Sequence, residues 1–362
     1  MTQQEPRRVL VAMSGGVDSS VAAKLLRERG DVCVGCTMKL YHNEDIGLSR
    51  GHTCCSLDDV EDARSVAWGL GMDYYVFNLS QDFRDKVMEP FARSYCRGET
   101  PNPCIDCNRC LKFARLFDRA DDLGCQYVAT GHYARIEEQN GRFVLKKALD
   151  ESKDQSYVLY AMTQAQLART LFPLGELSKP QVRALAEEGR FGNAHKPDSQ
   201  DICFAPDGDY ASAIGRILGS VPPPGDFVDR EGRVLGRHRG IIHYTLGQHR
   251  GLGVSLGERQ YVLAIRPDKN QVVLGPESAL FHREVEVSAV HWISGETLKE
   301  PIRLRAKLRY RQREQPALAV PLEDGGVRLL FDEPQRAPTP GQAAVFYDGD
   351  VVLGGGVLRR AE

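Results

Sequence analysis

The sequence predicts a doubly wound α/β domain with a parallel sheet, followed by smaller β-rich domains. The first half alternates short apolar runs with amphipathic helix patterns, and RVLVAMSGGVDSSVAAKLLRERG at its start contains one such pair. The pattern changes at GSVPPPGDF, residues 219–227, because a run of prolines cannot lie inside a helix or a central strand. Short strands separated by glycine turns follow. We therefore expect an α/β domain at 1–218, a central β-rich domain at 219–283 and a third domain at 284–362.

The elements of the α/β domain succeed one another at short intervals. Buried strands are predicted at Val9–Ala12, Val32–Met38, Tyr74–Leu79 and Gln126–Ala129. Helices are predicted from the first glycine turn to Gly30, at Ser56–Gly71, and near 81–96 and 107–123. Asn140-Gly141 predicts a hairpin turn, and further helical segments are predicted between Ser156 and Arg190.

The composition is that of a soluble globular protein, with 42% hydrophobic and 27% charged residues and a net charge of -2. No charged tail is present, so a polyanionic partner must bind a local basic patch. No apolar run reaches the ~18 residues that span a bilayer, and the N-terminal residues lack a signal-peptide pattern. We expect a cytoplasmic monomer without membrane contact, whose ten cysteines serve thiol, metal or redox chemistry.

The segment SGGVDSS, residues 14–20, lies between the first predicted strand and helix. Glycines there let the backbone approach phosphate oxygens, and amides at a helix start face an anion. A plain strand-to-helix turn does not need two glycines, an aspartate and three serines. The segment lacks the lysine of G-x-x-x-x-G-K-[ST], which disfavours an NTPase that grips the γ-phosphate. It resembles the pyrophosphate loop of the N-type ATP pyrophosphatases, which adenylate a substrate and release pyrophosphate.

That resemblance implies a set of nucleotide-binding residues, in which Asp18 helps to bind Mg²⁺. Two of them, Met38 and Gly131, follow or end predicted strands, where open α/β sheets usually bind ligands. The full set is Ala12, Met13, Ser14, Gly15, Gly16, Val17, Asp18, Ser19, Ser20, Met38 and Gly131.

The segment PNPCIDCNRC, residues 101–110, carries three cysteines at the predicted start of a helix. The prolines force an extended entry, after which Cys104 and Cys107 lie near free backbone amides that favour a thiolate. Cys110, one turn further, is more typical of core packing. Cys203 stands alone in the charged run HKPDSQDICF, which is more typical of an exposed loop than of a packed strand.

Eight motifs along the chain together resemble the tRNA-specific 2-thiouridylase family: SGGVDSS, TPNPC, ATGHYAR, SKDQSY, DICF, YTLGQHRGLG, LRYRQ and GQAAVFYDGD. The resemblance implies that ATP adenylates the O2 carbonyl of the wobble uridine in tRNA. Sulfur from a cysteine persulfide then replaces it, giving 2-thiouridine, AMP and pyrophosphate. It also implies that the C-terminal domain is a β-barrel that helps to hold tRNA. The implied partners are the tRNA anticodon stem-loop and a persulfide-donating sulfur carrier or cysteine desulfurase relay.

The resemblance also implies roles for the cysteines. Cys107 resembles the nucleophile and Cys203 the persulfide carrier, and the two could form a disulfide between turnovers. Cys104 departs from the many members that have an aspartate there, assigned acid or base work beside the target base. Cys104, Cys107 and Cys203 are also enough thiolates for an iron-sulfur cluster, whereas the second C-x-x-C pair typical of zinc sites is missing.

Residues 302–313, IRLRAKLRYRQR, alternate with a period of two. If they form one strand, six cations line one face: Arg303, Arg305, Lys307, Arg309, Arg311 and Arg313. Such a ridge suits phosphates, although a solvated strand face is the alternative. The tRNA-contacting residues implied by the resemblance are Asn102, Pro103, Cys104, His132, Lys153, Asp154, Gln155, Arg309, Tyr310, Arg311, Gln312 and Gln342.

Three alternatives remain at this point. One is an amidating or ligating ATP pyrophosphatase with a small-molecule substrate, which needs neither the cysteines nor the basic strand. The second is an iron-sulfur-dependent tRNA thiolase. The third is a non-catalytic RNA-binding or metal-carrier protein that has kept the glycine loop.

Overall fold

A parallel sheet forms the centre of the first part of the chain in this structure, a computed structural model that describes residues 6–42, 57–198, 201–254 and 257–359. The strands of this part are β1 (Arg8–Ala12), β2 (Val32–Lys39), β3 (Asp73–Asn78), β4 (Tyr127–Ala129), β5 (Ala134–Gln139), β6 (Arg142–Lys147) and β7 (Thr170–Leu171). Five of them form one sheet in the order β3-β2-β1-β4-β7, with every pair parallel. Val9, Leu10 and Val11 of β1 are fully buried, as expected when helices cover both faces. The predicted doubly wound fold is confirmed.

Nine α-helices are described in the chain. They are α1 (Val17–Glu28), α2 (Leu57–Gly69), α3 (Ser80–Phe83), α4 (Glu89–Cys96), α5 (Pro103–Cys107), α6 (Leu116–Asp122), α7 (Gln164–Ala168), α8 (Lys179–Glu188) and α9 (Tyr210–Leu218). Wider π-helical turns at Arg84–Met88 and Asn108–Arg115 join α3 to α4 and α5 to α6. None of the described helices is long and apolar enough to cross a membrane.

Two local predictions had different outcomes. Asn140 and Gly141 both have positive φ, 52° and 75°, as a tight hairpin turn requires, and they connect β5 to β6. The helical segments predicted between 156 and 190 are present, but the strand β7, which was not predicted, lies between α7 and α8 and extends the parallel sheet beside β4. A two-residue strand has too little sequence for its period to be recognised.

The central part contains a four-stranded sheet. Its strands are β8 (Gly225–Val228), β9 (Val234–His238), β10 (Tyr261–Arg266) and β11 (Gln271–Gly275). Their order is β10-β11-β8-β9, with β8 and β11 parallel and the two outer pairs antiparallel.

The C-terminal part is a closed barrel of six antiparallel strands. They are β12 (Phe281–Trp292), β13 (Ile302–Lys307), β14 (Gln315–Pro321), β15 (Val327–Arg336), β16 (Ala343–Asp348) and β17 (Val351–Leu358). The order β12-β15-β14-β13-β16-β17 closes because β17 also pairs with β12. The β5–β6 hairpin joins the outside of this sheet, where Lys146 and Leu145 pair with Val351 and Val352.

The single basic strand predicted at 302–313 is wrong. β13 ends at Lys307, and Arg309 to Gln312 form a turn that is closed by a 3.1 Å bond from Gln312 N to Arg309 O. Tyr310 lies in this turn and is 39% exposed. On the strand itself Arg303 is paired with Asp332 of β15, with nitrogen-oxygen distances of 2.6 and 2.9 Å. The alternation in sequence could not reveal either the turn or the acidic partner from the neighbouring strand.

Candidate functional site

The candidate site lies where the strand order of the parallel sheet reverses, at the carboxyl ends of β1 and β4. β1 leads into residues 13–16, and β4 leads into Gly131. Met38 lies near the end of β2, which is the neighbour of β1 on the other side. Open parallel sheets bind ligands in this crevice because the connections from the two central strands run to opposite faces.

Hydroxyl groups hold the glycine loop in shape. Ser19 Oγ accepts a hydrogen bond from Ser14 N (3.1 Å) and donates one to Gly16 O (3.1 Å), and Ser20 Oγ donates to the same carbonyl (3.0 Å). Gly15 has φ +74°, and a Cβ there would lie 2.3 Å from Asp59 O. The loop therefore packs directly on the start of α2 and requires glycine at this position.

The loop after β4 touches the first turn of α1. A Cβ on Gly131 would lie 2.8 Å from Ser19 N and 2.9 Å from the carbonyl carbon of Asp18. The two predicted parts of the nucleotide site are thus brought into backbone contact. Neither partner can move aside as a flexible side chain would.

Asp18 does not stand alone at the start of α1. Its carboxylate accepts bonds from Lys179 Nζ, at 2.7 and 2.9 Å, and from Tyr133 Oη at 2.8 Å. Lys179 also lies 2.7 Å from Asp198, which is 2.8 Å from Lys153. Burial favours the protonated form of Asp198, but the bonds from Lys153 and Lys179 lower its pKa below the ordinary value. The result is an alternating row of acids and cations beside the loop.

Two further side chains, those of Asn193 and Lys196, bond to the glycine loop and hold it in place. Asn193 Nδ2 donates to Gly15 O (2.9 Å) and to Ser20 Oγ (3.0 Å). Lys196 Nζ lies 2.8 Å from Asp62, is also bound to Asp59, and is 3.5 Å from Gly15 O.

Asn193 and Lys196 were not identified from the sequence as supports of the loop, nor was Lys179 at the start of α8. For Lys196 and Asn193 the charged run around HKPD was the available signal, and for Lys179 only its place at a helix start. A carboxylate such as Asp18 is a suitable ligand for Mg²⁺ that arrives with ATP, and the nearby lysines suit phosphate oxygens.

The cysteine helix, which we define as α5, the following π-helical turn and α6, begins at Pro103. Asn102 caps it, because its Oδ1 accepts the bond from Cys104 N (3.1 Å). Cys104 is exposed. The surrounding protein nevertheless removes water from its thiol and raises the pKa, while the Lys112 ammonium opposes this shift and the Asp201 carboxylate adds to it.

Cys107 faces the interior. It is 8% exposed and belongs to an apolar core cluster that includes Leu111 and Phe204. Burial raises the pKa of its thiol to about 11, against the opposing charge of Lys112. The position near a helix start was expected to favour the thiolate of Cys107, whereas burial in this conformation favours the thiol. Because the helix already starts at Pro103, Cys107 lies one turn inside it.

Cys203 packs against the same core cluster as Cys107 and is partly exposed. Its carbonyl accepts a bond from Tyr41 Oη (3.1 Å). The predicted nucleophile and persulfide carrier thus share one core, and Asp201 brings the same segment close to Cys104. No disulfide is formed by the eight cysteines of the described residues. Within the same residues, no three His, Cys, Asp or Glu side chains form a group that could hold a metal ion, so the three cysteines do not fit a cluster here.

The predicted tRNA residues after β6 are mostly engaged within the protein. Lys153 is paired with Asp198. Asp154 is buried, and its Oδ1 accepts bonds from Ala148 N (3.1 Å) and Ser156 N (3.2 Å). Gln155 Oε1 accepts from Tyr133 N (3.0 Å). These side chains shape the segment beside Asp18.

His132 is buried between two phenylalanine rings, 6.0 Å from Phe113 and 5.9 Å from Phe172. Burial, and secondarily the charge of Lys112, holds its pKa well below the ordinary value, so the ring is neutral. Its Nδ1 lies 2.7 Å from Thr130 Oγ1. The contact with Phe113 places the cysteine helix against the residue that follows Gly131.

Of the predicted tRNA contacts in the barrel, four make bonds inside the protein. Arg309 Nη2 donates to Ala337 O (2.6 Å) and Thr339 Oγ1 (2.9 Å). Gln312 Nε2 donates to Gln335 Oε1 (2.9 Å), and Gln342 Nε2 donates to Thr100 O. Tyr310 Oη reaches Asp154 O (3.3 Å). Arg311 is exposed.

The site combines the glycine loop, at the switch point of a parallel sheet, with an adjacent helix that carries cysteines. This combination defines a nucleotide-dependent enzyme of the HUP class. Residues 7–207 match the family described as tRNA methyl transferase HUP domain. Residues 212–276 match the tRNA methyl transferase PRC-barrel domain, and residues 282–358 match the aminomethyltransferase beta-barrel domain.

Similar proteins cover the whole chain. The tRNA-specific 2-thiouridylase MnmA of Acetivibrio thermocellus is 49% identical over 98% of this chain and 99% of its own length. That of Clostridioides difficile is 46% identical over 98% and 99%. The chain belongs to the tRNA-specific 2-thiouridylase family.

Solved structures with some similarity are more distant. A 4-thiouridine synthetase–RNA complex with bound ATP is 17% identical, covers 59% of this chain and 50% of its own, and has a TM-score of 0.36. NMN synthetase from Francisella tularensis is 18% identical, covers 53% and 66%, and has a TM-score of 0.32. Scores this low carry no argument about the present site.

Gly131→Ala tests the backbone contact between the β4 loop and α1. Because the new Cβ would meet main-chain atoms, we expect ATP affinity to fall at least tenfold and stability to fall by about 1–3 kcal/mol. Calorimetric titration with ATP and thermal unfolding measure the two effects. Gly69→Ala is the control, since a Cβ there meets nothing within 4 Å. Unchanged ATP affinity in Gly131→Ala would contradict this geometry.

The pH dependence of alkylation tests the burial of Cys107. With a pKa of about 11, its thiolate is rare near pH 8, so its alkylation rate should rise about tenfold per pH unit up to about 11. Since the folded state disfavours the thiolate, stability should also fall as pH rises between ~8.5 and about 11. Mass spectrometry of the alkylated peptide measures the rate, and urea-unfolded protein is the control. A plateau below pH 9 in the folded protein would refute the assignment.

Proposed function

We propose that this protein is an ATP-dependent tRNA-uridine 2-sulfurtransferase that converts the wobble uridine of tRNA into 2-thiouridine, with AMP and pyrophosphate as the other products. The observation that carries the proposal is the placement of the cysteine helix against the loop that follows β4, beside the glycine loop. Membership of the 2-thiouridylase family supports it.

The glycine loop supplies the first step. Main-chain amides of the loop and α1 bind the pyrophosphate portion of ATP, and Asp18 binds Mg²⁺ carried by the nucleotide. The O2 oxygen of uracil attacks the α-phosphorus, pyrophosphate leaves, and the uracil carries AMP on O2. This matters because a carbonyl oxygen is a poor leaving group, whereas AMP is a good one.

The cysteines supply the second step. The Cys107 thiolate attacks the Cys203 sulfur of a Cys203 persulfide, forming a Cys107–Cys203 disulfide and releasing hydrosulfide. Hydrosulfide then attacks C2 of the uracil and displaces AMP, and an external thiol reduces the disulfide. In the alternative route, the terminal sulfur of the Cys203 persulfide attacks C2 directly and displaces AMP. Cys107 then attacks Cys203 Sγ, which forms the same disulfide and releases the 2-thiouridine. Either route requires Cys107 to leave its buried, protonated state.

Cys104 would border the target base together with Asn102 and Pro103, as the family resemblance implies. Its exposed thiol can move a proton at Sγ, although with a pKa raised by its surroundings it is a poor base at neutral pH. We therefore infer a contact and proton-donating role rather than the work of a carboxylate.

The family resemblance also implies docking of a persulfide-donating carrier or desulfurase relay. A monomeric state, a cytoplasmic location and domain boundaries at 218/219 and 283/284 are the further features that the sequence predicts. The spacing of Cys104, Cys107 and Cys203 in sequence suggested an iron-sulfur cluster as the alternative, but the described residues hold no ligand group for it.

Replacement of the cysteines tests the chemistry. Cys107→Ser and Cys203→Ser should each lower ATP-dependent incorporation of labelled sulfur into tRNA at least a thousandfold, because each removes a reacting atom. The tRNA dissociation constant should change less than threefold. Cys96→Ser is the control, since Cys96 is a half-buried thiol on α4 outside the proposed chemistry.

The same preparation should be purified without oxygen and analysed for iron. Full activity without iron supports the cysteine relay, whereas activity that tracks iron content favours the cluster. Sulfur incorporation that survives Cys107→Ser would overturn the relay.

The RNA surface is proposed at the barrel turn. Arg311 and Arg313 are exposed, and neither forms an ion pair with a carboxylate of the described residues. Tyr310 beside them exposes 39% of its surface and can stack on a base.

Arg311→Gln combined with Arg313→Gln should weaken tRNA binding and reduce the slope of log K against log salt by about 0.7–0.9 for each phosphate that the variant no longer neutralises. Filter binding across a salt series measures the slope. Arg303→Gln is the matched control on the same barrel, because Arg303 is already paired with Asp332. Equal slopes for the double variant and wild type would place the RNA elsewhere.

A further inference from the structure

Residues 337–342, here called the junction segment, connect β15 to β16 and contact all three parts of the protein. On the central side, Ala337 N donates to Leu280 O (2.7 Å), and Ala337 packs in a small apolar cluster with Tyr261. A Cβ on Gly247 would lie 3.1 Å from Ala337 Cβ. The segment is therefore fixed against the central sheet as well as the barrel.

The other end of the junction segment binds Thr100, which precedes the cysteine helix in the chain. Pro340 O accepts a bond from Thr100 N (2.8 Å), and Gln342 Nε2 donates to Thr100 O. Gly341, with φ +86°, packs so closely that a Cβ would lie 2.9 Å from Glu99 Cβ. Both main-chain polar groups of Thr100 are thus held by the barrel, four residues before Cys104.

Arg309 connects the junction segment to the barrel turn. Its Nη2 donates to Ala337 O and to Thr339 Oγ1, at 2.6 and 2.9 Å. The Thr339 hydroxyl in turn donates to Ala337 O (2.9 Å). Thr339 is only 2% exposed, so it is not itself available to a macromolecule.

We propose that the junction segment controls the conformation of residues Thr100–Cys104 when RNA binds at the Arg309–Gln312 turn. Thr339 and Gln342 act in this as positioning residues. This rests on the function proposed above. An RNA phosphate that binds Arg309 competes with Ala337 O and Thr339 for the same guanidinium donor. Any shift of the segment acts on both main-chain groups of Thr100. Pro101 and Pro103 restrict the dihedral angles between Thr100 and Cys104, so the displacement is passed on rather than absorbed.

Thr339→Val tests the proposal without touching an RNA contact, because valine keeps the shape of threonine and removes only the hydroxyl. The rate of a single thiolation turnover at saturating tRNA should fall about tenfold, while the tRNA dissociation constant changes less than twofold. Thr339→Ser restores the hydroxyl and should restore the rate. Gln342→Glu, which removes the donor to Thr100 O, should reproduce the slower turnover.

The matched control is Gln164→Glu. Gln164 Nε2 also donates to two backbone carbonyls, Phe143 O of β6 (2.7 Å) and Ile293 O after β12 of the barrel (2.9 Å), and neither belongs to the cysteine helix. If Gln164→Glu slows the turnover as much as Thr339→Val, the effect is one of general stability and the proposal is overturned. It is also overturned if Thr339→Val raises the dissociation constant and leaves the rate at saturation unchanged.

A second measurement needs neither RNA nor sulfur. Alkylation of Cys104 in the free protein should change at least threefold in Thr339→Val, with Cys96 in the same digest as the internal reference. If the alkylation rate of Cys104 relative to that of Cys96 is the same in Thr339→Val as in wild type, the positioning role is overturned. If Cys104 changes but wild-type protein does not thiolate tRNA, the proposed function fails while the structural coupling stands.

Discussion

The pairing of β1 with β4 is the constraint on which the rest of the site depends. Register between Val9 and Tyr127, Leu10 and Val128, and Val11 and Ala129 makes the two strands end side by side. Their connections must then pass so near each other that only glycine fits at 131. The α1 amides, the loop hydroxyls and the cysteine helix are all placed relative to that contact. Because helices cover both faces of the sheet, a shift of one residue in this register would place each apolar side chain against the opposite helix layer and misalign the ends of the two strands.

The charges around the loop make up for a motif that has no lysine of its own. Lys179 comes from α8 and Lys196 from the segment after it, and each is held by carboxylates in this structure. Those pairs limit the repulsion that closely spaced cations would otherwise suffer. They also mean that a polyphosphate would exchange one set of anionic partners for another rather than enter an empty positive pocket. Removing one member of such a half-buried ion pair leaves the charge of the other uncompensated. This destabilises the protein more than replacing both members by apolar residues would.

The sequence allowed the parallel sheet, the hairpin and the glycine loop to be predicted because each has a local signature: apolar runs, Asn140-Gly141, and two glycines between strand and helix. The failures have a common physical cause. Whether Cys107 is exposed, whether Arg309 reaches solvent and whether Arg303 is paired are decided by segments far away in the chain. Thiol pKa values follow burial, and burial is a tertiary property that spacing between cysteines does not encode. Many of the residues that only the family resemblance indicated bind protein atoms here.

The β5–β6 hairpin has a consequence for dissecting the molecule. Its strands come from the α/β part, yet they extend the barrel wall by pairing with Val351 and Val352. A fragment that begins at residue 284 would lack this cover and the first three residues of β12, and would leave β17 with backbone groups unpaired. Exposed strand edges recruit other strands, so such a fragment would tend to self-associate. Gene fusions or truncations made at a sequence-defined boundary would therefore cut through a shared sheet rather than between independent modules.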